Sequence, residues 1–506
     1  MKTYSLATAL LAFLAGCFLI AEADAAKPKG PKKLGPLIEW YAGNGYESGQ
    51  LKVYAADLDG DGVHEVIAAG LIRESKKARI AVVDTTGKDV TKKFFADRKI
   101  STEAPQITDL NNDGKDDVIF WGGTDSDFLV QSYVYLSNKK GKHSKIQVTP
   151  TIWHHGSGRG DLDGDGSEDF IGTGYKGKGK YVVSYTGGKV VSRPLKYSGN
   201  KACFDGYSQY ECPRGSDIVI GNFDADPNIE IIISDYLQDE DWMAVEVYDT
   251  DSQFIYVRDD TGISMPTEYW ETPAGKRQIK GFYKNVNNVT GGDLSHDVRL
   301  VKFDINDDGY LDLIRVSRPW QSDKKKGRCE SGIWPHYGDL QMLINDGAGV
   351  FSDRTKKYLK GWRRNYNAPY NFQFVDVNND GLTDIFYSEM DIWAKADCSA
   401  GATAANGFLV NTGKGFKNFG TRWFKKETKK AIVASKKSGR KSGRFHDGLI
   451  VSFAVGNFDG DNKLETASCV RTRDKNSYKS HCQFWFSDIK FRIPKYKKRK
   501  ASDSVE

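Results

Sequence analysis

The chain has 506 residues, with 73 Lys or Arg against 67 Asp or Glu and a formal net charge of +6. Beyond the N-terminus no apolar run is long enough to cross a bilayer, which excludes a transmembrane span in the mature chain. No nucleic-acid-binding module, nucleophile elbow, phosphate loop or His-rich metal motif is present.

Taken in chain order, the N-terminus combines Lys2, an apolar stretch from Leu6 to Ile20 and the triplet Ala23-Asp24-Ala25. That is the pattern of a secretory signal, assigned to residues 1–26. It predicts a secreted, extracellular or periplasmic protein. Leu14-Ala15-Gly16-Cys17 also resembles a bacterial lipoprotein box, so an outer-membrane lipoprotein anchored at Cys17 is the alternative. The apolar run continuing through Phe18 argues against it. Residues 27–36 read as a basic linker, 37–494 as a repeat region and 495–506 as a basic, polar tail.

The repeat region carries one nine-residue pattern seven times: DLDGDGVHE from Asp57, DLNNDGKDD from Asp109, DLDGDGSED from Asp161, NFDADPNIE from Asn222, DINDDGYLD from Asp304, DVNNDGLTD from Asp376 and NFDGDNKLE from Asn457. Such self-similarity has to be read before any single segment. Each copy places Asp or Asn at positions 1, 3 and 5 and an acid at position 9, most with Gly at position 6. Ca²⁺ takes six to eight oxygen ligands, and oxygens at alternate positions of a tight loop can converge on one ion. Glycine at position 6 permits the turn that returns position 9 to the site.

Five copies give complete candidate sets, with the position-7 carbonyl in each. They are Asp57, Asp59, Asp61, Val63 and Glu65; Asp109, Asn111, Asp113, Lys115 and Asp117; Asp161, Asp163, Asp165, Ser167 and Asp169; Asp304, Asn306, Asp308, Tyr310 and Asp312; and Asp376, Asn378, Asp380, Leu382 and Asp384. Two copies depart from the pattern and are expected to be weaker or empty. These are Asn222, Asp224, Asp226 and Glu230, with Pro227 at position 6, and Asn457, Asp459, Asp461 and Glu465, with Asn462 there. An ordinary Asp/Asn/Gly turn would explain one copy, but not seven. An EF-hand needs Glu at position 12 and flanking helices. Here position 12 is Ala68, Phe120 or Gly172, and β-branched runs such as VIAAG and IIISD follow the loops, which predicts strands.

These loops resemble the calcium loops of FG-GAP (VCBS-type) repeats, as in the integrin α-subunit propeller. NDGAGVFSD (345–353) and NTGKGFKNF (411–419) are similar to the hairpin that closes such a blade, and VVDTTGKDV (82–90) and SYTGGKVV (184–191) are looser versions. The resemblance implies an all-β fold, a seven-bladed β-propeller of four-stranded antiparallel blades with several Ca²⁺ ions. The calcium loop would join the first and second strands of each blade. The first blade would run 51–56, 64–70, 79–84 and 89–95, and either 489–493 or 37–42 would complete the last and close the ring. The implied blade register pairs Cys203 with Cys212, Cys329 with Cys398 and Cys469 with Cys482. An even count of six beyond Cys17 suits an oxidising compartment, and the spacings fit no zinc site.

The same register puts the calcium loops on one face and the longer loops on the other, where binding residues are expected. Ligand candidates there are His154, His155, Arg159, Trp242, His296, Trp320, Trp334, Trp393 and His446. Each tryptophan also suits blade packing. Basic residues gather at 27–33, 425–444 and 490–500, which read either as solvated loops or as contacts for a polyanion. The expected role is a binding or adhesion scaffold for a glycan, anionic polysaccharide or cell-surface protein; export disfavours nucleic acid. The alternative is a polysaccharide lyase using His154, His155 and Arg159, with no catalytic geometry fixed by sequence. Asn288-Val289-Thr290 is a glycosylation sequon.

Overall fold

A computed structural model describes residues 34–41, 51–72, 77–84, 86–96, 99–100, 105–122, 131–139, 141–149, 154–174, 180–194, 196–197, 201–202, 217–224, 226, 228–234, 245–250, 255–258, 263–264, 295–319, 339–360, 369–389, 406–437, 450–461, 463–473 and 479–489. The N-terminal strand β1 (Leu34–Tyr41) belongs to the last sheet. The first sheet contains β2 (Leu51–Ala56), β3 (Glu65–Ile72), β4 (Lys77–Val83) and β5 (Lys99–Ile100), with a helical turn α1 (Thr91–Phe94) before β5. The second contains β6 (Gln106–Thr108), β7 (Asp117–Phe120), β8 (Tyr133–Ser137) and β9 (His143–Gln147), and the third β10 (His154–Gly160), β11 (Asp169–Gly174), β12 (Lys180–Thr186) and β13 (Lys189–Pro194).

The fourth sheet is different. Strands β14 (Lys196–Tyr197) and β15 (Lys201–Ala202) are added beyond β16 (Asp217–Gly221), β17 (Ile229–Ser234), β18 (Val245–Thr250) and β19 (Ile255–Arg258), and β14 runs parallel to β19. The fifth sheet contains β20 (Ser295–Phe303), β21 (Asp312–Pro319), β22 (Asp339–Asn345) and β23 (Phe351–Asp353), followed by the turn α2 (Thr355–Tyr358). The sixth contains β24 (Pro369–Val375), β25 (Asp384–Glu389), β26 (Gly407–Asn411) and β27 (Phe416–Asn418), followed by α3 (Gly420–Lys437). The last contains β28 (Ile450–Gly456), β29 (Glu465–Arg473) and β30 (Lys479–Asp488), completed by β1 antiparallel to β30.

The fold is therefore an all-β propeller of four-stranded antiparallel blades. Six sheets have that form, which corrects the expectation of seven four-stranded antiparallel blades: the sheet of the fourth repeat has six strands and a parallel pair. Of the two segments that could have closed the ring, it is the N-terminal one, beginning at Leu34, that pairs with β30. All seven acid loops join the first and second strands of their sheets.

Continuous apolar runs, rather than strict alternation, mark the second strands because both faces are covered. On β3, Val66 and Ala68 pack toward the last sheet, whereas Ile67 and Ala69 pack toward the second. Every neighbouring pair of sheets shares such a cluster, including the last with the first, where Phe484 and Phe486 meet Val53 and Val83. Truncating one of these fully buried phenylalanines should cost about 3–5 kcal/mol. The first strands lie innermost, and their open edges are satisfied across sheets. Ser452 Oγ accepts from Val53 N at 3.1 Å, and Gln373 bridges Phe453 O (3.0 Å) and Val455 N (2.7 Å). Between the third and fourth sheets the backbones approach so closely that a Cβ at Gly158 would lie 2.6 Å from Ile218 O.

Two local expectations are corrected. Residues 89–95 do not form the fourth strand of the first blade. Asp89 Oδ1 accepts from Thr91 N (3.1 Å) and Oγ1 (2.6 Å), and Thr91 Oγ1 in turn accepts from Val82 N at 2.9 Å. The threonine thus occupies the ladder position a strand would have used, and the chain turns as α1. Thr355 repeats the device in α2, accepting from Met342 N at 2.9 Å. The second correction concerns the basic segment 425–444, whose first half is helical in α3. Phe424, Glu427 and Ala431 share one buried face, spaced as a helix requires, and pack between the sixth and last sheets. Lys426, Lys429 and Lys430 face outward.

Candidate metal centres

Each loop is built by its own carboxylates. The position-1 Asp57 takes amides from Gly60 (2.8 Å) and Asp61 (3.1 Å) on Oδ1 and from Gly62 (2.9 Å) on Oδ2. Asp161 and Asp304 repeat all three bonds; Asp109 and Asp376 each take the amides of positions 5 and 6. Gathering these donors wraps the loop around one side of the carboxylate and turns the alternate side chains inward.

In five of the loops two residues adopt the left-handed conformation. Position 6 does so at Gly62, Gly114, Gly166, Gly309 and Gly381, as expected. Position 4 does so too, at Gly60, Asn112, Gly164, Asp307, Asn379 and Gly460. That requirement was missed by sequence reasoning, although its signal was visible: position 4 holds only Gly, Asn or Asp in those six copies, the residues that tolerate positive φ.

The position-9 acid is buried and structural. Its oxygen accepts the amide of position 2 in all seven copies: Leu58 (3.1 Å), Leu110 (2.9 Å), Leu162 (2.9 Å), Phe223, Ile305 (2.8 Å), Val377 (3.0 Å) and Phe458 (2.8 Å). In three aspartate copies the second oxygen reaches the end of the third strand. Asp117 accepts from Ser137 N at 2.6 Å, Asp312 from Asn345 N at 2.8 Å and Asp384 from Asn411 N at 2.7 Å. Burial pushes Glu65 up to about 8 and Asp117, Asp169, Asp312, Asp384 and Glu465 up to about 7; neighbouring loop acids add to the rise and the amide bonds oppose it.

Carboxylate oxygens converge within 4.8 Å of one another in four groups: Asp57, Asp59 and Asp61; Asp161, Asp163 and Asp169; Asp224, Asp226 and Glu230; and Asp459, Asp461 and Glu465. These could hold a metal ion. Two belong to the copies expected to be weaker, so the loss of the position-1 carboxylate does not scatter the remaining acids. Asn457 instead accepts from Gly460 N (2.9 Å) and donates to Gly62 O (3.3 Å) in the first loop, and Asn222 donates to Asp226 O. The all-oxygen donor set fits a hard divalent cation. So does Asp59 Oδ1, a buried acceptor with no hydrogen-bond donor. Lys93 of α1 binds the other oxygen of Asp59.

Neighbouring loops are also tied together. Asp57 N donates to Asp116 Oδ2 (2.7 Å) while Asp116 N donates to Asp57 O (2.9 Å), His64 N donates to Asn457 O (2.8 Å), and Asn112 Nδ2 donates to Ser167 Oγ (2.9 Å).

One residue expected on the ligand face is placed differently. Arg159 stands at the end of β10 beside the third loop, not on the opposite face, because β10 runs toward that loop. Its guanidinium donates to Ile107 O and lies 3.4 Å from Glu168 Oε2. His154 begins the same strand, so roughly 15 Å of extended chain separates the two backbone positions. His155 lies on β10 and His296 on β20, but their side chains are outside the description, as is that of Cys482 on β30. Trp242, Trp320, Trp334, Trp393, His446, Cys203, Cys212, Cys329 and Cys398 lie outside the described residues. Among the described residues, no helix is long and apolar enough to cross a membrane.

Repeated four-stranded sheets closed into a ring, each carrying an acid loop between its first two strands, define a repeat β-propeller. Residues 109–172 match the family model of the FG-GAP-like repeat, and the propeller arrangement of the sheets supports an FG-GAP repeat propeller. No curated protein sequence matches the chain. Among solved structures it is similar to the Bacillus licheniformis rhamnogalacturonan lyase PL11, at 12% identity and a TM-score of 0.37, over 89% of this chain and 75% of that one. It is also similar to the V. cholerae biofilm matrix protein Bap1, at 11% identity and a TM-score of 0.31, over 93% and 90%. A third is a putative exo-beta-1,3-galactanase from Bifidobacterium bifidum, at 13% identity and a TM-score of 0.30, over 64% and 89%. At such scores these likenesses carry no functional argument.

Proposed function

We propose that the chain is an exported, calcium-stabilised propeller that serves as a binding scaffold for a glycan, polyanion or protein partner. The observation that carries this reading is the repeated loop. In four copies three carboxylates, drawn from positions 1, 3, 5 and 9, converge within 4.8 Å of one another. The bound ion would supply the positive charge that offsets their repulsion. The chain's own residues fix the loops and tie the seventh, first, second and third to one another. We count the six-stranded sheet as the seventh blade, since it shares apolar clusters with the sheets on both sides.

Export is supported by the signal-like N-terminus, and the same compartment would support the pairings Cys203–Cys212, Cys329–Cys398 and Cys469–Cys482. Cys469 is disulfide-bonded, and strand register sets Arg471, two residues along, opposite Cys482. The reading is tested by thermal unfolding and protease resistance with Ca²⁺ and with EDTA, followed by a glycan array under both conditions. A midpoint and digestion pattern indifferent to EDTA would reject the calcium role.

A further inference from the structure

Inside the ring, cations have carboxylates beside them. The central cavity, about 360 Å³ and walled by the first strands of six sheets, holds Arg159 at 3.4 Å from Glu168 and Arg299 at 3.3 Å from Asp217, and Glu168 and Asp161 act on Lys302. The outer rim over the fifth and sixth sheets has no such balance. There α2 and α3 plug the grooves between neighbouring sheets. Tyr358 and Leu359 fill the groove between the fifth and sixth, and Phe424 and Ala431 the one between the sixth and last. The β26–β27 hairpin joins the two plugs. A Cβ on Gly415 would lie 2.8 Å from Tyr358 O, and the Phe408 and Phe424 rings are 6.4 Å apart.

This strip is basic throughout. Residues 354–360 carry four Lys or Arg and no acid, and residues 406–437 carry nine against one acid, Glu427. Glu427 is buried under α3 on Ser487, Trp485 and Lys430, so it does not offset the outer face. Asp353, just before α2, is held by Thr355 N (2.9 Å) and Gln341 Nε2 (3.2 Å). Arg354, Lys356 and Lys360 beside α2, Lys417 on β27, and Lys426 and Lys429 on α3 are all exposed. Among the described residues none of these six forms an ion pair with a carboxylate, whereas Lys430 pairs with Glu427. Like charges gathered on one surface raise its potential and attract an anion.

The kind of anion follows from the layout. One exposed ion pair contributes little, so a small anion would gain little here, whereas a polymer sums many such contacts. The 18 residues of α3 alone extend about 27 Å. A bilayer fits less well. An interfacial helix must lend its apolar face to the lipid, and that face of α3 is spent between two sheets.

We propose that the outer rim over the fifth, sixth and last sheets docks an acidic polysaccharide, its repeated charges lying along α2, β27 and α3. This inference rests on reading the chain as a scaffold for a glycan or polyanion, and it names the surface and the charge of the partner.

The test is calorimetric titration of the full chain in Ca²⁺ with hyaluronate and with dextran, at low and high salt. It is repeated with Lys426→Glu/Lys429→Glu and with Lys139→Glu/Lys189→Glu, which changes net charge equally at exposed lysines of the second and third sheets. Hyaluronate should bind, more weakly as salt rises, and dextran should not. The α3 pair should weaken hyaluronate at least about fivefold while leaving the calcium-dependent unfolding midpoint in place. The control pair should stay close to wild type. Should the α3 pair unfold, Lys356→Glu/Lys360→Glu probes the same strip. Equal losses in the rim and control variants, or dextran bound as tightly as hyaluronate, would overturn the proposal. So would binding of phosphatidylglycerol vesicles or duplex DNA in place of hyaluronate. If a neutral glycan bound and hyaluronate did not, the rim site would fall and the scaffold reading would stand. If no glycan or polyanion bound, both would fall.

Discussion

Asp312 offers the sharpest separation between a metal ligand and a structural staple. It is fully buried at position 9 of the fifth loop, with Oδ2 accepting from Ile305 N and Oδ1 from Asn345 N, both at 2.8 Å. Asp312→Ala leaves both amides buried without acceptors. Each such loss costs about 1–3 kcal/mol, so the variant should lose about 2–6 kcal/mol in metal-free buffer. Asp312→Asn keeps one carbonyl oxygen and should lose roughly half as much. The assay is urea unfolding in EDTA, followed by the same series in Ca²⁺. Wild type should gain from calcium, and the variants should gain less because one site is impaired. A metal-free curve for Asp312→Ala within about 0.5 kcal/mol of wild type would refute the staple and leave only the ligand role.

Other expectations follow from the same geometry. Gly158→Ala should destabilise by about 1–3 kcal/mol through overpacking, because its Cβ would meet Ile218 O at 2.6 Å; an unchanged thermal midpoint would show that the third and fourth sheets can separate freely. Glu427 anchors α3 through Ser487 Oγ (2.6 Å), Trp485 Nε1 (3.1 Å) and Lys430 (2.5 Å). Burial alone would raise its carboxyl, but these bonds outweigh burial and hold it below the ordinary glutamate value. Its stabilisation is therefore full above that ordinary value and lost as pH falls through the depressed one. Glu427→Gln should be less stable than wild type near neutrality, with the gap closing in acid; a gap independent of pH would exclude the charge. Finally, Asp224→Ala and Asp459→Ala should each remove calcium from the stoichiometry measured by equilibrium dialysis, because both sit in converging carboxylate groups. An unchanged stoichiometry would return those two loops to a purely structural role.

What the sequence determined by itself was the repeat. Acids at alternate positions and glycine at position 6 are local requirements of a turn, so they are written into nine consecutive residues and survive without knowledge of the rest of the chain. The strands after each loop were equally legible, because a second strand covered on both faces needs an unbroken apolar run. Tertiary structure decided what depends on partners distant in sequence. The N-terminal strand closes the ring because β30 offers it an antiparallel edge. Thr91 turns the chain away from a strand because Val82 N needs an acceptor. The lysine-rich segment becomes α3 because Phe424, Glu427 and Ala431 find a groove between two sheets. Arg159 sits beside the third loop because strand direction, not residue type, decides which end of the channel a side chain reaches. The central cavity was invisible for the same reason. Its wall is assembled from short runs of six first strands, and no one stretch of sequence contains it.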